Sequence, residues 1–371
     1  MSVRFVPYTS REAPEAIAFN QRMREGNAAT DFLLPEAPPE EAGPDRAIKA
    51  VYYLAVEEET VRGGFVLGDY PAWLNSKAIT ATVCIAPLSE GIIDPKFSML
   101  SMHFVRYHRS HNPYGFASGM GSPNNSYPRL LRAAGWSILE IPFFFRVCRA
   151  NRFLRQIGPL RRSRLRHSGS SLAAWSGLGA AGLVALHSRG LLVRSQAADL
   201  SAETVTEWGS WANEIWDQVR ESFSFAICRD LSTLKDLYPV SETRVIRLLV
   251  RRGGSVPIVG WVTTLDTQMK GDQYFGDLRV ATILDCMAAP PDLAAVVYTV
   301  SRMLQRAGAD LIISNQSHSL WQDAFRRSGF LQGPSNYCLG ISKPIAEAIR
   351  PGEGPSRIYF TRGDGDGRMH L

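Results

Sequence analysis

The sequence predicts an α/β (α+β) chain made of one unit written twice, each copy a mixed, mostly antiparallel sheet flanked by helices. The run SMLSMHFVRYHRSH, YGFASGMG, PRLLRAAGW in the first half returns in kind as DLAAVVYTVSRMLQRAGA, DLIISNQSH, LWQDAFRRSGF in the second. Each run reads as a helix, a short apolar strand, and a basic helix closing on Gly plus an aromatic residue. Repetition at this scale marks a duplicated domain. In both halves β-rich segments precede the run, and 371 residues at 45% hydrophobic and 20% charged suit two domains with proper cores.

The elements follow from periodicity and punctuation. Residues 3–8 alternate like a strand, and 15–24 carry Ala16, Ile17, Phe19 and Met23 at helical spacing. Proline and acids make 35–45 a surface loop. Residues 50–56, 64–67 and 78–86 are β-rich and split by turn residues, predicting an antiparallel meander. A helix over 95–111, a strand over 114–120, a helix over 126–134 and a strand over 137–147 complete the first unit. The second opens with a helix over 202–221, whose Trp208, Trp211, Ile215 and Val219 form a core stripe. A hairpin over 244–250 and 258–265 follows around RRGGSVP. Then come a strand over 277–287, a helix over 292–307, a strand over 310–314, a helix over 320–327 and a strand over 337–341. The expected division is 1–150 and 201–350, with a linker over 151–200 and a tail over 351–371.

The linker is basic over 146–166, and 168–188 holds no Lys, Arg, Asp or Glu. Serines, glycines and His187 interrupt the apolar pattern too often for a membrane span. Two readings stay open: a connector packed between the units, or a contact of 146–190 with an anionic membrane surface. The tail's RGDGDG lacks the ligands of a calcium loop, and an exposed flexible tail is expected.

A net charge of +6 and pI near 9.1 favour anionic partners. The five cysteines are widely spaced with no CxxC, against a disulfide framework or structural zinc and in favour of a reducing cytoplasm. MSVRFVPYTSREAPE reads as no secretory signal, so a cytoplasmic protein is expected, membrane-peripheral under the second linker reading. His103, His108 and His111 share one helix without further ligands, so no metal is expected. The basic run has few stacking aromatics, which argues against nucleic acid.

On this order of elements, and on Asn124 before Gly135-Trp136 and Phe325 before Gly329-Phe330, each half resembles the GNAT acyltransferase superfamily. The whole is similar in layout to tandem-GNAT proteins such as mycothiol synthase and the Fem-type aminoacyltransferases. The resemblance implies two tandem GNAT-like domains, each with a splayed parallel strand pair whose unpaired backbone holds a pantetheine arm. The helix after the splay would point its N-terminal amides at the pyrophosphate. The splays are expected between 81–86 and 114–117, and between 283–288 and 311–314. Neither pyrophosphate loop carries the family's glycine pattern: the first reads PLSEGIIDPK, the second AAPPDL. Leu131 and Phe325 stand at the family's tyrosine position.

The implied cosubstrate is acyl-CoA or acetyl-CoA, and the second copy is favoured for its Gly329-Phe330 match. There Met287, Ala288, Ala289, Asp292, Asn315 and Phe325 would line the donor. Asp285, alone in the apolar strand VATILDCM, is either a general base or a carboxylate satisfied by an arginine or a backbone amide. His318, at the place of the family's Asn, is either a proton-transfer group or a helix-start residue. Cys84 and Cys286 are either acyl acceptors or core thiols, with core the default. Glycines 119 and 121 of GMGSPNN either line a cleft or make a tight turn. The expected function is acyl transfer to an amine or hydroxyl of a small-molecule or lipid-linked acceptor, on a cell-envelope or surface-polysaccharide precursor. The alternatives are a Fem-like aminoacyltransferase using tRNA and a non-catalytic GNAT-like binding module.

Overall fold

The computed structural model describes residues 3–29, 32–39, 43–156, 191–253, 257–349 and 355–365. In the first half, β1 (Arg4–Pro7) and α1 (Ala13–Glu25) lead into the meander β2 (Lys49–Glu57), β3 (Thr60–Leu74) and β4 (Lys77–Ser89). Two single 3₁₀ turns separate β4 from α2 (Leu100–His111); Pro95 and the Asp94 side chain, which caps Lys96 N–H, delay the helix expected from residue 95. Then come β5 (Gly115–Ala117), α3 (Ser126–Ala133), β6 (Ser137–Glu140) and β7 (Phe143–Val147).

After α4 (Ala150–Gln156) and α5 (Leu191–Gln196) the second half begins with β8 (Leu200–Thr204) and α6 (Trp211–Val219). One helix was expected over 202–221. Leu200 and Ala202 instead alternate toward the core as β8 pairs antiparallel with the next strand but one, and the helix starts only beyond Gly209. The rest runs β9 (Phe225–Ile227), α7 (Leu231–Leu237), β10 (Ile246–Arg252), β11 (Ile258–Gln268), β12 (Arg279–Ala288), α8 (Pro290–Arg306), β13 (Leu311–Asn315), α9 (Ser319–Arg327), β14 (Leu331–Gly333), β15 (Cys338–Ile341), α10 (Lys343–Ala348) and β16 (Ile358–Tyr359).

Two mixed sheets result. The first has the order β1-β2-β3-β4-β5-β15-β6, and the second β14-β7-β13-β12-β11-β10-β8. The two halves exchange strands: β15 enters the first sheet between β5 and β6, while β7 enters the second between β13 and β14. The single strand expected over 137–147 is therefore two strands in different sheets. Pro142, which has no N–H to give a ladder, stands at the crossing, and beyond it Phe144 is buried against Phe325. The boundaries near 150 and 201 divide the sequence but not the sheets.

In each of these two ladders one neighbouring pair is parallel. In the first sheet it is β4 and β5, matched at Thr82–Gly115 and Val83–Phe116. In the second it is β12 and β13, matched only from Val280–Leu311 to Thr282–Ile313. Just beyond each match the first strand of the pair carries a bulge, with extra residues at Ala86–Pro87 opposite β3 and at Leu284 opposite β11. A bulge bends its strand, and here it turns β4 and β12 away from their parallel partners. Ala86 sits at φ +47°, an uncommon value for a residue with a side chain.

The described part of the tail is mostly buried. Ile358, Tyr359, Phe360, Thr361, Gly363 and Asp364 are buried, and β16 pairs with β9, which itself pairs antiparallel with the end of β3. This strap ties both sheets together. Among the described residues no helix is long and apolar enough to cross a membrane.

Candidate functional site

The second unit's strand gap is filled by its own side chains. Trp321 from α9 donates its Nε1–H to Cys286 O at 2.9 Å, and the Tyr359 hydroxyl from the strap reaches Cys286 O at 2.7 Å and Asp285 Oδ1 at 2.5 Å. Lower in the gap Ser314 Oγ donates to Ile283 O at 2.8 Å. These are backbone groups that a pantetheine arm would need.

Asp285 belongs to a fully buried network. Arg229 Nε donates to Asp285 Oδ2 at 2.7 Å, and Arg229 Nη2 to Asp364 Oδ1 at 2.5 Å. Tyr238 donates to Asp285 Oδ2 at 2.9 Å, and the amide of Cys286 to Oδ1 at 2.9 Å. Both readings of this carboxylate are thus decided for the paired one, because every approach to it is taken by a donor. Burial pushes the Asp364 carboxyl up, against the pull of Arg229, with Asp285 adding to the rise.

His318 caps α9. Its Nδ1 accepts from Leu320 N–H at 3.2 Å, which leaves Nε2 to donate to Ser222 O at 3.2 Å. The ring is 2% exposed and packs edge-on against Phe223 and Trp321. Burial lowers its pKa to about 4, so it is a neutral helix-start residue. Asn315 is a staple at the strand crossing: its Nδ2 donates to Ile141 O at 3.2 Å and its Oδ1 accepts from Arg362 Nε at 2.8 Å. Phe325 is core, between Phe144 and Phe330.

Met287 and Ala288 are fully buried in β12. Ala289 precedes α8, whose first two residues, Pro290 and Pro291, have no N–H to offer an anion. Asp292 in the same turn brings negative charge, ion-paired to Arg252 at 2.7 Å. A cleft of about 370 Å³ opens here, lined by Ser195, Gln196, Asp199, Arg252 and Asp292 among others. Two carboxylates against one guanidinium, at a helix start stripped of donors, do not fit a pyrophosphate. In the second copy, favoured from its sequence, the strand gap and the helix start are thus already engaged by the chain's own groups.

The first unit differs. Beyond Val83–Phe116 the gap between β4 and β5 is not sealed: Ile85, Pro87 and Ser118 are half-buried, and Ala86 and Gly119 are exposed. In the first turn of α3, Tyr127 lies near the Cys84 thiol of β4 and packs on the cluster that includes Ala117 of β5. Burial, then the nearby thiol, raise the Tyr127 phenol well above its ordinary value. Burial likewise pushes Cys84 up to about 12 and Cys286 well up, so both remain core thiols. Gly119 and Gly121 adopt φ +68°, the tight-turn reading of GMGSPNN. Counting back from the Gly-aromatic ending arrives at Leu131 and misses Tyr127. A phenol in the turn after GMGSPNN was the available signal.

The remaining candidates fall elsewhere. His108 is buried and bonded through Nε2 to Thr82 O at 2.9 Å, and His111 meets Asp69 at 3.2 Å. Among the described residues no three metal-ligating side chains gather. Of the basic stretch, Arg146 donates to Ser328 O at 2.8 Å, while Arg149 and Arg152 pair with the buried Asp310. These three serve the fold; residues 157–190 of the linker lie outside the described residues.

No protein-family model and no curated protein sequence matches the chain. Solved structures do. A GCN5-related N-acetyltransferase from Anabaena variabilis is similar with a TM-score of 0.53 at 9% identity, over 91% of this chain and 72% of that one. A conserved protein from Enterococcus faecalis, described as a probable N-acyltransferase, gives 0.50 at 9% identity over 92% and 73%. A GCN5-related N-acetyltransferase from Kribbella flavida gives 0.50 at 11% over 95% and 76%. At these identities the likeness is one of fold: the chain has a GNAT-like fold.

Proposed function

We propose that the chain transfers an acyl group from a coenzyme A thioester to an amine or hydroxyl, and that the donor seats in the first unit. The observation that carries the reading is the half-buried to exposed stretch 85–87 and 118–119 beyond the last β4–β5 pair, with Tyr127 near Cys84 beside it. A sheet interior left unpaired is costly unless something completes its hydrogen bonds, and a pantetheine arm offers amides at strand-like spacing. The GNAT-like fold and the acyltransferase descriptions of its structural neighbours are consistent with this use of the gap.

Acyl-CoA supplies the activated acyl group. The chain's own residues do the rest. The backbone of β4 around the bulge orients the arm. Tyr127, kept protonated by burial, acts only as a proton donor near neutral pH, the role needed at a departing thiolate. The second unit, with its gap filled by Trp321 and Tyr359, braces the first and walls the acceptor side.

Calorimetric titration of the intact chain with coenzyme A and acetyl-CoA tests the reading. Saturable binding is expected, and Tyr127→Phe should keep that binding while losing about 10²-fold in kcat with a competent acceptor. Absence of binding to the wild-type chain would sink the proposal.

A further inference from the structure

Arg362 is a cation with no carboxylate ion-paired to it among the described residues. It lies in the strap beside Thr361, which bridges to Gln316 just beyond β13, and its Nε donates to Asn315 Oδ1 at 2.8 Å. Its guanidinium stands 6.0 Å from the centre of the Tyr337 ring. Among the described residues its two Nη groups have no hydrogen-bond acceptor and no carboxylate is ion-paired with it. Arg229, by contrast, is held by two carboxylates and Arg247 by several backbone carbonyls, while Arg146 donates to Ser328 O and leaves its buried Nε without a partner among the described residues.

The strap then carries Gly365 to the mouth of the first unit's gap. A Cβ built on Gly365 would fall 2.5 Å from both Ser118 Oγ and the Tyr337 hydroxyl, so these groups converge beside Arg362. Phe360 packs on Phe116 of β5 from the same segment.

We propose that the Nη edge of Arg362 receives a carboxylate on the acceptor, so that the acceptor class is an amine or alcohol bearing a carboxylate, such as an amino acid. This rests on the first-unit reading given above. A guanidinium held at Nε presents its two Nη groups as a fork, which matches a carboxylate's two oxygens. One positive charge matches one negative charge. A phosphate monoester carries nearly two, and the Asp285–Asp364 pair, facing the single Arg229, already makes this region rich in negative charge. Burial lowers the pKa of Arg362, consistent with a charge that gains from an anionic ligand.

Thermal melting of the full chain tests the proposal with three probes: N-acetylglycine, its neutral isostere N-acetylglycinamide, and inorganic phosphate. N-acetylglycine is expected to raise Tm where the amide does not, and Arg362→Gln should lose that rise while keeping its response to coenzyme A. Arg362→Lys should retain part of it. With turnover, amino acids should exceed their amides in kcat/KM by about tenfold or more, the difference lying in KM and vanishing in Arg362→Gln. A wild-type chain that responds equally to acid and amide, or more strongly to phosphate, overturns the proposal. So does a response that emerges only in Asp366→Asn, which would make the carboxylate the chain's own. A retained acid response without any coenzyme A response would instead sink the donor reading and leave Arg362 standing.

Discussion

His108 and His318 are each 2% exposed, and in each burial is the largest of the causes that lower the ring pKa to about 4. An unfolded histidine titrates near 6.5. The fold therefore favours the neutral ring, and the stability this contributes is complete above about pH 6.5 and is lost as pH falls toward 4. Each ring is worth about 3 kcal/mol over that window. Tm is expected to fall between these pH values, and His318→Asn, which keeps a capping side chain but removes the titration, should flatten the fall. An unchanged pH profile for that variant would contradict the assignment. Asp285 makes the complementary case. Its replacement by Asn should cost about 3–5 kcal/mol in urea unfolding by breaking a buried pair with Arg229, while kcat per folded molecule stays the same. A loss of kcat at unchanged stability would restore Asp285 as a base.

At the scale of elements, the strap 355–365 and the start of α8 decide which strand gap is free. Gly363 passes so close to the second unit that a Cβ there would fall 1.8 Å from the Tyr238 hydroxyl and 3.3 Å from Asp285 Cβ. Gly363→Ala should therefore cost about 1–3 kcal/mol, read as a lower urea midpoint, with Arg229 left short of a partner as the strap shifts. A variant of wild-type stability would mean that the strap is not held there. The short 3₁₀ turns before α2 and the two prolines opening α8 are local facts with opposite results: in the first unit Ser98 and Met99 lead into a helix with ordinary residues, whereas the second begins with two residues that lack N–H.

Across the whole molecule, the exchange of β7 and β15 makes each sheet depend on the other half of the chain. Residues 1–150 and 201–371 expressed separately should each lack a central strand partner and fail to fold cooperatively, whereas co-expression should recover a complex. Two halves that melt independently as folded monomers would refute the interlock. The main core likewise runs through both sheets, joining Phe116 of β5 to Phe360 of the strap and Phe144 of β7 to Phe325 of α9.

Periodicity and punctuation located most elements, because helices and strands are set by local spacing of apolar residues: α3, α8, α9, β10 and β13 lie within a residue or two of where the pattern put them. The repeated helix-strand-helix run likewise foretold the paired sheets. Local pattern could not reveal that Phe143–Val147 and Cys338–Ile341 change sheets, since a strand's partner is chosen by long-range packing. Nor could it identify the partners of Asp285, since Arg229, Tyr238 and Tyr359 lie 56, 47 and 74 residues away. The sequence by itself determined the duplicated fold and the oddity of a carboxylate in an apolar strand. Only the tertiary structure decided that this carboxylate is ion-paired, that the second gap is filled, that Tyr127 lies near Cys84 and that Arg362 holds Asn315, because each of those facts is a contact between distant parts of the chain.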